Sequence, residues 1–345
     1  MKLLVTGGAG FIGSHFVRYA LARRSHWQVV NLDKLTYAGN LENLKDVEGH
    51  PRYRFVQGDI ADRALVKRLF REESFDVVAN FAAESHVDRS ILDASSFVQT
   101  NVCGTQVLLD AAREFSLKRF VQISTDEVYG SIGSGSFRED SRLSPNSPYA
   151  ATKAAAELLT LAYHSTYGLP VMVTRSSNNY GPYQFPEKLI PLMIRNALRG
   201  EKLPVYGKGQ NVRDWLYVED NCKAIALVID GGRLGAVYNI GAAEERPNLD
   251  VVGLLCELLA VRLNKPAEDL KKLIEFVKDR PGHDFRYSLD ARQIQSELGW
   301  QSEVRFEEGL AKTIDWYIGH QEWVNNVISG EYKQYYHRVY EKGWK

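Results

Sequence analysis

Lys2-Leu3-Leu4-Val5-Thr6-Gly7-Gly8-Ala9-Gly10-Phe11-Ile12-Gly13 opens the chain, and its reading decides the fold. A short apolar strand over Leu3–Val5 runs into a glycine-rich turn, and a helical pattern follows over Phe11–Arg23. Gly7, Gly10 and Gly13 give a GxxGxxG spacing. Glycines at such a junction allow a tight turn, close approach of backbone N–H groups to a pyrophosphate, and close helix–strand contact. The helix N-terminus adds partial positive charge. Asp33 ends the next apolar run, Gln28–Leu32, where a carboxylate would bond the adenosine ribose hydroxyls and repel a 2′-phosphate. The pattern therefore predicts a dinucleotide site with NAD favoured over NADP. Asp59 and Ile60, after the third strand, are placed at an adenine edge. Ala82 and Ala83, after the fourth, are small enough to let the cofactor lie against backbone.

Outward from that loop, short apolar runs alternate with helical patterns. Further strands are expected at Arg54–Gln57, Val77–Phe81, Phe120–Ile123 and Val171–Thr174, and helices at Arg63–Phe70, Phe97–Phe115 and Tyr149–Tyr167. The alternation predicts an α/β fold, a Rossmann-type doubly wound parallel sheet with helices on both faces. Residues 1–180 are expected to form mainly the dinucleotide-binding domain. Residues 181–345, punctuated by proline, form a smaller substrate-binding region over the sheet's carboxyl edge, with helices at Leu249–Leu263, Leu289–Leu298 and Phe306–Tyr317. Val237–Gly241 reads as a strand returning to the large sheet, and Gly130–Ser136 as a mobile flap. The aromatic tail around Tyr332, Tyr335 and Tyr336 is expected to pack on the body.

With 43 basic and 43 acidic residues the net charge is zero, so no basic field draws nucleic acid and no polybasic run reads as a membrane anchor. No apolar run is long enough to span a bilayer. No charged and apolar leader precedes the first strand, and a cytoplasmic protein is expected. Cys103, Cys222 and Cys256 lack metal-ligand spacing and read as reduced thiols, with no metal site expected.

The chemistry is carried by Ser124-Thr125-Asp126-Glu127-Val128-Tyr129-Gly130 and by Tyr149-Ala150-Ala151-Thr152-Lys153. Ser147-Pro148 reads as a helix start, and Tyr149 and Lys153 then lie one turn apart on one face. A phenol of reference pKa about 10 must fall by roughly three units to act as a base at neutrality, about 4 kcal/mol. The Lys153 ammonium and a positive nicotinamide ring are expected to supply that shift. Asp126 and Glu127 are two proton-handling groups that oxidation alone does not need. As consecutive residues they would point to opposite faces of a strand, so they are expected just past a strand end. His15 is expected to be structural, and His86 a packed donor and not a catalytic acid.

These motifs resemble the extended short-chain dehydrogenase/reductase family, and within it the dTDP-glucose 4,6-dehydratases. The resemblance extends through Asn80–Asp88, Asn178-Asn179-Tyr180-Gly181-Pro182, Phe185–Pro191, Arg213-Asp214-Trp215 and Asp279–Asp284, nearly the whole chain. It implies a hydro-lyase acting on dTDP-D-glucose. Tyr149 would take the C4 hydroxyl proton as hydride leaves for NAD, with Thr125 bonded to the same oxygen. Glu127 would then remove the C5 proton, and protonated Asp126 would donate to the departing C6 hydroxyl. Hydride return to C6 would leave dTDP-4-keto-6-deoxy-D-glucose.

The resemblance also fills out the sites. The cofactor groove is expected to include Phe11, Ile12, Lys34, Leu35, Thr36 and Thr100, with Lys153 on the nicotinamide ribose and Asn178 facing the ring. Ser85, Asn179, Glu187 and Lys188 are assigned to sugar and phosphate, and Arg213, Asn248, Arg280 and His283 to the nucleotide end. It implies a homodimer through a four-helix bundle. Small residues Gly104, Ala111, Ala112, Ala150, Ala154 and Ala155 permit close helix packing, across a dimer or on the sheet. A 4-epimerase of this fold would use Tyr149 without elimination, and a regulatory dinucleotide binder would keep the fold without turnover.

Overall fold

Strands β1 (Lys2–Thr6), β2 (Gln28–Asp33), β3 (Tyr53–Gln57), β4 (Val77–Asn80), β5 (Arg119–Thr125) and β6 (Val171–Ser176) form the large sheet, joined by the later strand Val237–Ile240. Every pairing in it is parallel. The order places β4 and β2 on either side of β1, with β3 at one edge and Val237–Ile240 at the other. The structure, a computed structural model, describes residues 1–328. The tail residues Tyr332, Tyr335 and Tyr336 lie outside the described residues.

The apolar strand runs make sense in this layout. β4 and β6 are buried along their whole length, whereas edge strand β3 is half-exposed. Helices on both faces cover the sheet, one face around Phe16, Trp27 and Ile225, the other around Phe70, Leu108 and Phe120. The chain reverses its strand order between β1 and β4, so their carboxyl ends open a crevice where ligands of such sheets bind. A separate core around Tyr180, Trp215, Leu255 and Phe306 lies in the later part of the chain. Its helices include Leu189–Arg199, Asn248–Leu263 and Phe306–Gly319.

Three expectations need correction. The helix expected over Phe97–Phe115 is not regular: Val98–Gly104 is wound as a π-helix before the α-helix Thr105–Glu114 begins. The wider turn lets the Asn101 amide clamp the backbone of Glu84, at 2.9 and 3.1 Å, and the Thr152 hydroxyl at 2.9 Å. The Leu289–Leu298 pattern is helical only from Arg292, because the Asp290 N–H donates to the Phe137 carbonyl at 2.8 Å. Nor does Gly130–Ser136 hang free. The Ile132 N–H donates to the Arg286 carbonyl at 3.0 Å, and the Ser131 hydroxyl accepts from the N–H groups of Phe285 and Arg286.

Candidate active site

At the mouth of the crevice the glycine spacing has a steric cause. Gly7 has φ +70°, and a Cβ there would lie 2.6 Å from the Ala82 nitrogen. A Cβ on Gly13 would lie 2.2 Å from the Gly7 carbonyl oxygen. Gly10, the residue before helix Phe11–Arg23, meets only the Gly7 oxygen, so the groove side stays open. No side chain caps that helix and no acid occupies its first turn, leaving its positive end for an anion. Asp33 is buried, and its oxygens accept from the Ala9 N–H at 2.9 Å and the Leu35 N–H at 2.8 Å. Lys34 pairs with Asp59 at 2.7 Å.

A cavity of about 300 Å³ follows this cradle. It is lined by Gly7, Gly10, Phe11, Ile12, Gly13, Asp33, Lys34, Thr36, Asp59, Ile60, Ala82, Ala83, Thr100, Lys153 and Asn178. Leu35 does not line it: at φ +58° its backbone turns inward to cap Asp33. The cavity's length, uncapped helix end and small-residue walls fit a dinucleotide. Sequence reasoning missed Tyr37, Phe81, Gln184 and Phe185, which also line it. Only the fold brings these scattered side chains to one wall.

The same cavity holds Thr125, Asp126, Glu127 and Tyr149. β5 ends at Thr125, and Asp126–Tyr129 form a single 3₁₀ turn, so the two carboxyls leave strand geometry where expected. Gly130 closes the turn at φ +79° and ψ −160°, a conformation essentially restricted to glycine. Ser147 caps helix Pro148–Tyr167 by accepting from the Ala150 N–H at 3.1 Å, with proline in its first turn.

Burial first, and then Glu127, push the Asp126 carboxyl well above its ordinary range. Its Oδ2 is buried without a hydrogen-bond partner among the described residues, while Oδ1 accepts from the Thr125 hydroxyl at 3.1 Å. Burial also raises Glu127, but Arg280, Lys188 and Arg213 oppose the rise. Asp126 is thereby suited to hold a proton and Glu127 to release one.

Tyr149 departs from expectation. Burial and the Glu127 carboxylate push its phenol up, against the Thr125 hydroxyl, so the chain's own groups do not make it a base at neutrality. The Lys153 Nζ donates to the Ile123 carbonyl at 2.5 Å, and burial lowers its pKa to about 8 against the pull of Glu157. A buried lysine whose pKa falls from 10.5 to about 8 costs about 3 kcal/mol of stability at pH 7. The unfolded chain binds the extra proton between those values, so the cost is full below pH 8 and disappears toward 10.5. Lys153→Met is therefore expected to gain about 1–2 kcal/mol at pH 7, after allowing for the orphaned Ile123 carbonyl. Urea unfolding at pH 7 and pH 9.5 checks this; the variant's advantage should shrink at the higher pH.

A second cavity of about 160 Å³ adjoins the first, sharing Glu127, Asn178, Glu187 and Lys188. Asn248, Arg213, Arg280 and His283 line it. Arg280 is held by Asp88 at 2.8 Å, and its buried Nε has no partner among the described residues. The Oδ1 atoms of Asn248 and Asn178 are likewise buried and unpartnered. Lys188 donates to the Ser85 carbonyl at 3.1 Å, which joins those two assigned residues.

Three assignments are less open. The Arg213 guanidinium already donates to the carbonyls of Val212, Asp284 and Phe285. Asn179 donates to the Ser177 carbonyl and accepts from Asn221, so its amide is engaged inside the protein. Burial and the neighbouring Arg280 lower His283 to about 4, and its Nδ1 faces Asp279 at 2.6 Å. A neutral ring donating to Asp279 offers Nε2 as an acceptor, not a cation. His86 is buried 3.7 Å from Glu187, with its pKa driven well down by burial. His15 is buried with Nε2 2.9 Å from the Pro182 carbonyl oxygen.

Comparison with known proteins agrees with this geometry. A family model described as GDP-mannose 4,6 dehydratase matches residues 4–313. The dTDP-glucose 4,6-dehydratase of Xanthomonas campestris pv. campestris (strain B100) is 53% identical over 96% of this chain and 97% of its own. A dTDP-glucose 4,6-dehydratase from Bacillus anthracis, solved in complex with NAD, superposes with TM-score 0.86 at 49% identity, covering 95% of this chain and 99% of that one. DesIV, the dTDP-glucose 4,6-dehydratase of Streptomyces venezuelae, was solved with NAD bound. It superposes with TM-score 0.89 at 52% identity, over 95% and 100% of the two chains. On these grounds the chain belongs to the dTDP-glucose 4,6-dehydratase family.

Proposed function

We propose that this chain converts dTDP-D-glucose to dTDP-4-keto-6-deoxy-D-glucose and water, with NAD recycled in place. The observation that carries the reading is the Asp126–Glu127 pair on one turn. It faces the same cavity as Tyr149, between a dinucleotide cradle and a cation-lined pocket. An alcohol oxidation needs Tyr149 and Thr125 alone; the extra acid and base, with their separated proton affinities, suit loss of water.

NAD, when bound along the groove, accepts and returns the hydride, and its positive ring favours the Tyr149 phenolate. Tyr149 takes the C4 hydroxyl proton while Thr125 orients that oxygen. Glu127 then takes the C5 proton, made acidic by the C4 carbonyl. Asp126, protonated and with one oxygen unpartnered, gives its proton to the C6 hydroxyl as water departs. Arg280 and Lys188 oppose charge at the diphosphate, while Asn248 and His283 offer acceptors at the nucleotide end. Residues 1–180 supply mainly the cofactor side, and the later residues the nucleotide-sugar side.

A homodimer in the cytoplasm completes the reading. Gly104, Ala111, Ala112, Ala150 and Ala154 are buried within the protomer, so they do not argue for it. The support comes from Val98, Leu158 and Tyr167, apolar side chains 46%, 55% and 49% exposed on the π-helix and on helix Pro148–Tyr167. Among the described residues no helix is long and apolar enough to cross a membrane. Incubation with dTDP-, UDP- and CDP-glucose tests the function. A dehydrated 4-ketone from the dTDP sugar is expected, and a galacto-configured product would overturn it.

A further inference from the structure

Behind the catalytic turn lies a buried polar cluster that the chemistry above does not use. Tyr129, the last residue of the turn, is buried and donates its phenol proton to the Asn239 Oδ1 at 2.9 Å. The phenol oxygen accepts from the Arg175 guanidinium, which also lies over the ring at 4.6 Å. The Phe137 ring stacks on the other side, with centroids 4.7 Å apart and planes within 9°. Arg175 is held by Glu157 at 2.7 Å, and both side chains are almost wholly buried. Glu157 stands four residues beyond Lys153 and eight beyond Tyr149 on the same helix, so the cluster ties that helix to the turn.

A buried ion pair of this kind is weak evidence for stability, because removing two charges from water costs about what their attraction returns. Its retention needs another explanation, and the neighbouring elements suggest one. Thr125 is fixed by ladder pairing with Ser176. Tyr149 is fixed by its helix, which Asn101 grips through Thr152. Asp126 and Glu127 lie beyond the ladder, and the far end of their turn is anchored by Tyr129.

We propose that Glu157, Arg175 and Tyr129 are positioning residues that set the Asp126–Glu127 turn for the elimination step, and not for the oxidation that precedes it. The inference rests on the dehydratase reading. Misplacing a reacting group by about 1 Å can cost about a hundredfold in rate. A brace on this turn therefore acts on C5 proton removal and leaves C4 oxidation intact.

Two variants test it with dTDP-glucose in single turnover. Tyr129→Phe keeps the stacked ring and removes the phenol. Glu157→Met/Arg175→Met removes both charges together, which spares the fold the cost of one unpaired buried ion. C4 oxidation is read from reduced-nicotinamide absorbance, C5 proton removal from deuterium uptake out of solvent, and stability from Tm. The expected result is C5 exchange slowed by about tenfold to a hundredfold in both variants, with the oxidation rate unchanged and the double variant still folded. Exchange at the wild-type rate in either variant overturns the proposal, as does a parallel loss of both steps that tracks a fall in Tm. If the double variant does not fold, Tyr129→Phe decides alone. Wild-type protein that does not oxidise C4 would instead refute the dehydratase reading.

Discussion

Glu127→Gln is expected to oxidise its sugar at C4 and stop there, accumulating a 4-ketohexose nucleotide and reduced cofactor without releasing water. The amide keeps the side chain's length and its place on the 3₁₀ turn but cannot accept the C5 proton. Loss of a positioned general base costs about 10²–10⁴ in rate, so dehydration should nearly vanish while the initial oxidation proceeds. The wild-type profile should report the same group. Burial raises Glu127 above its ordinary 4.5, so elimination should fall as pH drops through a value above that one. Rapid-quench analysis of the sugar, with nicotinamide absorbance followed in parallel, checks both. Undiminished water loss by Glu127→Gln would remove that carboxylate from its role.

How far these roles could be read from the chain depends on whether their cause is local. The glycine loop was legible because Gly7, Gly10 and Gly13 act within one turn and one helix start. The displaced acid pair was legible because strand periodicity alone forbids Asp126 and Glu127 from sharing a face. The returning strand Val237–Ile240 shows its apolar pattern in five residues, and the structure pairs it with β6. What was not legible arises between distant segments. Arg213 reads as an open phosphate clamp until Asp284 and Phe285, about seventy residues away, bring their carbonyls to it. The π-helix at Val98–Gly104 has no pattern that separates it from an α-helix; its cause is the Asn101 contact with Glu84 and Thr152. Lys153 sits one turn from Tyr149 as the spacing predicts, yet its ammonium bonds the Ile123 carbonyl. Sequence spacing gives proximity but not the direction in which a donor points.

That last discrepancy sharpens what Tyr149→Phe should do. Burial and Glu127 hold the phenol above its free value, so its ionisation inside the chain is unfavourable. The hydroxyl proton must then move in concert with that of the sugar, or with help from a positive ring in the groove. Deleting the hydroxyl removes both routes and should slow C4 oxidation by about 10²–10⁴. The fold should tolerate the change, because the ring packs with Val87 and Phe97, and phenylalanine preserves that contact. Substrate affinity, measured by calorimetry, should stay near wild type, since the diphosphate and nucleotide contacts lie in the second cavity. Supplying dTDP-4-keto-6-deoxy-D-glucose separates this residue from Glu127. Tyr149→Phe should still exchange the C5 proton of that ketone with solvent, whereas Glu127→Gln should not. If Tyr149→Phe oxidises C4 at the wild-type rate, another group takes that proton. If it also loses C5 exchange, the phenol serves both steps, and the division of labour drawn from the two carboxyls fails.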